Sequence, residues 1–190
     1  MERFELKNAR YLASDVMQRL IQPGDTVVDA TMGNGGDTVF LAQLVGEQGR
    51  VYAIDIQPAA MKRTKERLEA EGLIERVFFS LEGHQHLAEI VGGPVRAVMF
   101  NLGWLPGGDH ICTTRTETTV EAVLQACSCL LPGGLISVCV YPGHEEGMRE
   151  LEAVTQFCRN LPVRTYTVLQ HRFINAKAET PQLFLIQKNA

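Results

Sequence analysis

The chain has 190 residues, is 45% hydrophobic and carries a net charge of −4, which suits one packed domain over 1–190 and argues against a large non-specific nucleic-acid binder. A small enzyme that grips a few phosphates of one RNA loop stays compatible with that charge. No apolar run reaches the length of a transmembrane helix, the stretch Met1–Lys7 is charged with no apolar signal region, and the five cysteines are odd in number with no C-x-x-C pair, so a cytoplasmic protein with small core cysteines is expected.

Leu6, Ala9, Ala13, Val16, Met17 and Leu20 share one helical face, and Pro23-Gly24 ends the helix before a first strand, Asp25–Ala30. This helix is expected to pack on the sheet or partly cover the ligand. The strand runs through Val27-Val28 into Asp29 and is followed by Thr31-Met32-Gly33-Asn34-Gly35-Gly36-Asp37-Thr38, then by a helix over Gly36–Val45 closed by Gly46. Glycines let backbone approach a ligand closely, and the free N–H groups of the helix start favour a carboxylate or phosphate. The spacing is G-x-G-G, with Thr38 where a dinucleotide fingerprint has its third glycine, and the Walker lysine is absent. An acid at Asp29 would repel a pyrophosphate and suits a ligand with a cationic amino group. S-adenosylmethionine (SAM) has one, and a carboxylate for the helix end. The second strand, Arg50–Ile56, carries Asp55, which can accept both ribose hydroxyls, with Ile56 and Gln57 beside it.

Pro58 and Gly72 bracket a helix over Ala59–Glu71. Its Lys62, Arg63, Lys65 and Arg67 read as a solvated face of mixed charge, with RNA contact as the other reading. Arg76–Leu81 is the third strand, and Glu82-Gly83-His84-Gln85-His86 follows it. No acid or cysteine cluster completes a metal site around the two histidines, so no metal is expected. Val95–Asn101 is the fourth strand, followed by a glycine-rich loop, Leu102–Thr113, with Trp104 at its tip. Thr113 or Thr114 with Glu117 fits a capping box for a helix ending near Leu131. Pro132-Gly133-Gly134 is a turn into the strand Leu135–Tyr141, apolar enough to be central and buried on both faces. Tyr141 and His144 lie beyond its C-terminal end, where ligands of such sheets sit, and a histidine there can accept a proton near neutral pH. A helix over Gly147–Leu161 and closing strands Val163–His171 and Gln182–Lys188, joined by a hairpin loop over 173–180, complete an α/β doubly wound domain.

The glycine loop with Asp29 and Asp55 resembles class I SAM-dependent methyltransferases over essentially the whole chain. The segments Thr31–Thr38 and Phe100–Asp109 are more closely similar to the small bacterial family labelled "putative rRNA methylase", which includes the tRNA 5-aminomethyl-2-thiouridine methyltransferase. The resemblance implies a Rossmann-like seven-stranded sheet whose last strand runs antiparallel between strands five and six. It implies SAM held by Asp29, Thr31, Met32, Gly33, Asn34, Gly35, Asp37, Thr38, Asp55, Ile56, Gln57 and Asn101, with His84 and Gln85 where an Asp often caps the adenine amine. Asn101-Leu102-Gly103-Trp104 resembles the Asn-Pro-Pro-Tyr motif of amino methyltransferases, in which an Asn and a loop carbonyl hold the target nitrogen and an aromatic ring stacks on the base. Asn101, Leu102, Trp104, Tyr141 and His144 are then the catalytic set, with His144, Tyr141 or water as the base. Trp104, Gly107, Asp109, His110, Thr114, Arg115 and Arg172 are the substrate contacts, extended by Asn175 and Lys177.

The expected activity is N-methylation of the 5-aminomethyl group on a tRNA wobble uridine, with the anticodon stem-loop as partner and a homodimer extending the RNA surface. The alternatives are rRNA or a small-molecule or protein amine as target, or a non-catalytic SAM- or RNA-binding protein.

Overall fold

The computed structural model describes residues 8–105, 107 and 113–190. Its strands are β1 (Thr26–Asp29), β2 (Arg50–Ile54), β3 (Val77–Ser80), β4 (Val95–Asn101), β5 (Leu130–Val140), β6 (Tyr166–His171) and β7 (Gln182–Lys188). They form a seven-stranded sheet in the order β3-β2-β1-β4-β5-β7-β6. The neighbours from β3 to β5 pair in parallel, and β7 runs antiparallel to both β5 and β6, as the resemblance implied. The helices are α1 (Ala9–Leu20), α2 (Gly36–Val45), α3 (Pro58–Ala70), α4 (Leu87–Val91), α5 (Thr116–Cys129) and α6 (Glu145–Asn160).

The central strands are buried on both faces, so their residues alternate between two cores rather than between core and water. Val27, Ala97 and Met99 face the layer of α1, α2 and α3; Val28, Val98 and Phe100 face the layer of α4, α5 and α6. The helix α1 starts where the Asn8 side chain accepts the Tyr11 N–H, and it buries Ala9, Ala13 and Met17. It packs against β5 and β7, so the first helix reaches across the sheet from the strand that follows it in sequence. Among the described residues no helix is long and apolar enough to cross a membrane. Cys127, Cys139 and Cys158 are buried free thiols, Cys129 is half-buried, and Cys112 lies outside the described residues.

Most boundaries fall within two residues of the sequence reading, and two differ by more. Residues 132–134 do not stand before β5 as a separate turn but lie within its ladder: Val95 pairs with Leu130 and Ala97 with Leu135, so the extra residues form a bulge. The sixth strand starts at Tyr166 rather than Val163, because the Thr165 and Tyr166 N–H groups both turn back to the Pro162 carbonyl.

Met17 is fully buried where α1 meets the sheet. Met17→Ala is expected to lower the unfolding free energy by about 2–5 kcal/mol in urea titrations, since the pocket between helix and sheet cannot collapse fully. A loss below ~1 kcal/mol would show that α1 is only loosely attached.

Candidate active site

The strand order reverses between β1 and β4, and the loops leaving their C-terminal ends diverge to opposite faces of the sheet. That is where open α/β sheets bind ligands. A cavity of about 640 Å³ opens there. Of the residues expected to hold ligands, Thr31, Met32, Gly33, Asn34, Asp37, Asp55, Ile56, Gln57, His84, Gln85, Asn101, Leu102, Trp104, Thr114, Arg115, Tyr141 and His144 line it.

The loop between β1 and α2 is built from its own backbone constraints. Gly35 has φ +78°, and a Cβ there would stand 3.0 Å from the Thr64 Cα, so the loop tip presses directly on α3. Thr64 in turn donates its hydroxyl to the Gly33 carbonyl. Asp29 does not reach the cavity, contrary to the sequence reading. It is 1% exposed and accepts the Thr31 N–H at 3.2 Å and the Thr38 hydroxyl at 2.6 Å, so it shapes the loop instead of touching a ligand. Burial, then the nearby Asp37 charge, push its pKa up to about 7. Thr38 and Gly35 are likewise behind the wall rather than on it. No side chain caps α2, so its first N–H groups remain on offer at the cavity edge, where Gly36 lies.

Asp55 stands on the wall and accepts the Gly33 N–H at 3.0 Å and the Gln57 N–H at 2.9 Å. Burial raises its pKa against those bonds. Beyond it, His84 packs edge-on against Phe100 at 5.8 Å, and burial lowers its pKa to about 4 against its hydrogen bond to the Ala30 backbone. The imidazole is therefore neutral, and this end of the cavity is polar without a positive charge.

Across the cavity, Asp37 is shared. Its Oδ1 accepts from Arg10 Nη2 at 2.9 Å and Nε at 3.2 Å, and its Oδ2 accepts from Asn101 Nδ2. Burial opposes the Arg10 charge, but the Asp37 carboxylate outweighs that cost and raises its pKa. The Asn101 N–H donates to the Thr31 hydroxyl at 2.8 Å, which ties the end of β4 to the glycine loop. Asn101 Oδ1 is buried with no hydrogen-bond partner among the described residues.

The loop after β4 closes on itself: Gly103 N–H donates to the Thr114 hydroxyl at 2.8 Å, Thr114 N–H returns to the Gly103 carbonyl at 3.0 Å, and Trp104 bridges Thr113. The Thr114 hydroxyl is thus committed, the Thr113 hydroxyl is buried without a partner among the described residues, and the expected capping box with Glu117 does not form. Glu146, from the first turn of α6, caps α5 instead by accepting both the Thr116 N–H and its hydroxyl at 2.8 Å. The His144 ring lies 4.7 Å from the Trp104 ring, and its Nδ1 accepts the Gly147 N–H at 3.1 Å, capping α6. A proton taken up at that nitrogen would break the cap. Burial pushes the Tyr141 phenol up to about 12, so it stays protonated. Neither group is arranged as a ready base.

Arg172 follows β6 at the sheet edge and does not line the cavity, nor does Gly107; Asp109 and His110 lie outside the described residues. Conversely, the wall includes Arg10 and Arg67, which the sequence reading placed on a covering helix and a solvated face.

A family model described as "Putative rRNA methylase" matches residues 51–187. A relative from Arabidopsis thaliana, the chloroplastic tRNA (mnm(5)s(2)U34)-methyltransferase, is 40% identical, with 97% of this chain and 71% of that protein covered. The chain belongs to the "Putative rRNA methylase" family. Among solved structures, a "putative rRNA-methylase" from Clostridium thermocellum is 43% identical with a TM-score of 0.95, covering 97% of this chain and all (100%) of that one. A Streptococcus mutans protein described as "a putative methyltransferase", solved in complex with SAH, is 34% identical with a TM-score of 0.88, covering 97% of this chain and 99% of that one. A second model, for protein-L-isoaspartate O-methyltransferases, matches residues 8–91, the half that holds α1 and the glycine loop.

The buried Asp29 gives this member of the family a pH signature. Its pKa rises from 3.8 to about 7 on folding, so the folded state keeps the proton longer and stability falls as pH climbs between those values, then stays level. Asp29→Asn cannot titrate, and the Thr38 hydroxyl can accept from the new amide. Urea unfolding at pH 5 and pH 7.5 is expected to shift in the variant's favour by on the order of 2 kcal/mol between the two. Parallel pH dependence in both proteins would contradict this.

Proposed function

We propose that this chain is a SAM-dependent methyltransferase that N-methylates the 5-aminomethyl group of 5-aminomethyl-2-thiouridine at the tRNA wobble position. The observation that carries the reading is Asn101: its Nδ2 is tied to Asp37, and its buried Oδ1 has no partner among the described residues. A buried acceptor without a donor is costly, and an amine N–H arriving in the cavity would satisfy it. The similarity to a relative named for methylation of that wobble uridine supports the same substrate.

The cavity residues suit SAM. Asp55, with two backbone donors already fixed, keeps lone pairs for ribose hydroxyls. The neutral His84 and the apolar Ile56 and Leu102 suit an adenine, and the uncapped start of α2 suits a carboxylate. Asp37 and Asp55 on the wall would repel a pyrophosphate. When bound, SAM supplies an electrophilic methyl group on a sulfonium centre.

The chain's own contribution is positional. Asn101 Oδ1 accepts one N–H of the amine and leaves the nitrogen lone pair free to point elsewhere. Trp104, backed by His144, offers a flat face to a base taken out of its stack. An alkylammonium has no lone pair, so the amine reacts neutral. With the His144 cap occupied and the Tyr141 phenol held protonated, neither is placed to take that proton. Arg67 and Arg115 on the wall supply positive charge for nearby phosphates. One domain, a cytoplasmic setting, a tRNA anticodon stem-loop as partner and a second copy of the chain widening the RNA surface complete the proposal.

Nucleoside mass analysis of tRNA from a deletion strain is expected to show 5-aminomethyl-2-thiouridine accumulating, with the methylated form restored by the wild-type chain. Asn101→Ala is expected to lower kcat by about 100-fold and to leave SAH affinity within about 3-fold. Unchanged tRNA modification in the deletion strain would reject the substrate.

A further inference from the structure

We infer that Asp37, steadied by Arg10, is a positioning residue that decides which end of the Asn101 amide faces the target amine. The inference rests on the role given to Asn101 above. A side-chain amide has nearly the same shape when turned over, so packing alone does not select its oxygen or its nitrogen for a given direction. Hydrogen bonding does. A carboxylate only accepts, so the group facing Asp37 Oδ2 must be Nδ2, and Oδ1 is left on the other side of the amide. Turning the amide over would set its oxygen against a carboxylate oxygen and present N–H groups to an amine that needs an acceptor.

Asp37 is itself held from the far side. Two Arg10 nitrogens, Nε and Nη2, reach its Oδ1, so each carboxylate oxygen has its own partner and the group is clamped between α1 and β4. The neighbouring residue makes room for this. At Gly36 a Cβ would stand 2.8 Å from Arg10 Nη2, so any side chain there would displace the guanidinium. The Asn101 backbone is fixed separately by Thr31, so loss of Asp37 frees the amide to rotate without releasing the strand. The first helix therefore enters the chemistry indirectly: Arg10 orders Asp37, Asp37 orders Asn101, and Asn101 meets the substrate.

The test is a double-mutant cycle under single-turnover conditions with an anticodon stem-loop RNA bearing 5-aminomethyl-2-thiouridine. Asp37→Asn is nearly isosteric and can donate as well as accept, so Asn101 loses its preferred orientation. At saturating SAM it is expected to lower the transfer rate by about 10–100-fold, with RNA affinity within about 3-fold. In an Asn101→Ala background the same change is expected to have less than about a 3-fold effect, because there is no amide left to orient. Arg10→Ala, which loosens the same carboxylate, is expected to cost about 3–10-fold alone and almost nothing with Asn101→Ala, and it serves where Asp37→Asn does not fold. Effects that multiply in full across the two sites, or a rate loss that excess SAM abolishes, would overturn the inference while leaving the amine reaction standing. No transfer by the wild-type protein to this RNA would instead strike the proposed function and the inference together.

Discussion

The carboxylate of Asp37 joins three elements that are remote in the chain. It takes Arg10 from the first helix on one oxygen and Asn101 from the end of the fourth strand on the other, while sitting in the first turn of α2. Each bond is charge-assisted on the carboxylate side, so each is stronger and more directional than a neutral pair. Removing any partner leaves a polar group unpaired at the cavity. The site's geometry therefore depends on α1 and α2 both being seated on the sheet, since Thr31 of the loop fixes only the Asn101 backbone and the side chain is held by Asp37.

Charge decides which ligand the cavity suits. A glycine turn opening a helix is compatible with a pyrophosphate or with an amino-acid carboxylate, because both meet the same N–H groups. The acids separate the two. Asp29 was the obvious candidate for that role, yet it is buried and satisfied by Thr31 and Thr38. The negative charge at the wall comes from Asp37, Asp55 and Glu82; Asp37 is paired with Arg10, and Asp55 is held by the Gly33 and Gln57 N–H groups. The electrostatic conclusion survives with different residues behind it: a bound nucleoside should be cationic or neutral near the loop, not a diphosphate.

Much of the architecture was legible before any coordinates. The β-branched runs at Val27-Val28 and Leu135–Val140 mark buried strands, and the G-x-G-G turn marks the ligand loop, since local backbone preference and burial suffice for both. The antiparallel last strand came from family resemblance rather than from pattern. The misses share a cause. Arg10 looks like one polar residue on an amphipathic helix, and Arg67 like one charge among many; their places on the wall follow from how α1 and α3 lie over the sheet. The capping of α5 by Glu146 is similar: Thr113 and Thr114 have the right spacing for a box, but Thr113 pairs through its backbone with Trp104 and the Thr114 hydroxyl goes to Gly103, and a residue thirty positions after Thr116 supplies the acceptor. Local spacing reports what a side chain can do next to its neighbours, and it is silent about partners brought by tertiary packing.

Calorimetric titration of the purified chain tests the ligand class most directly, because it asks the cavity which nucleoside it accepts without asking for turnover. SAM and SAH are expected to bind with one site per chain and NADH to give no heat of binding. Saturable uptake of NADH with none for SAM or SAH would contradict the assignment of the glycine loop, Asp37 and Asp55 to a sulfonium nucleoside.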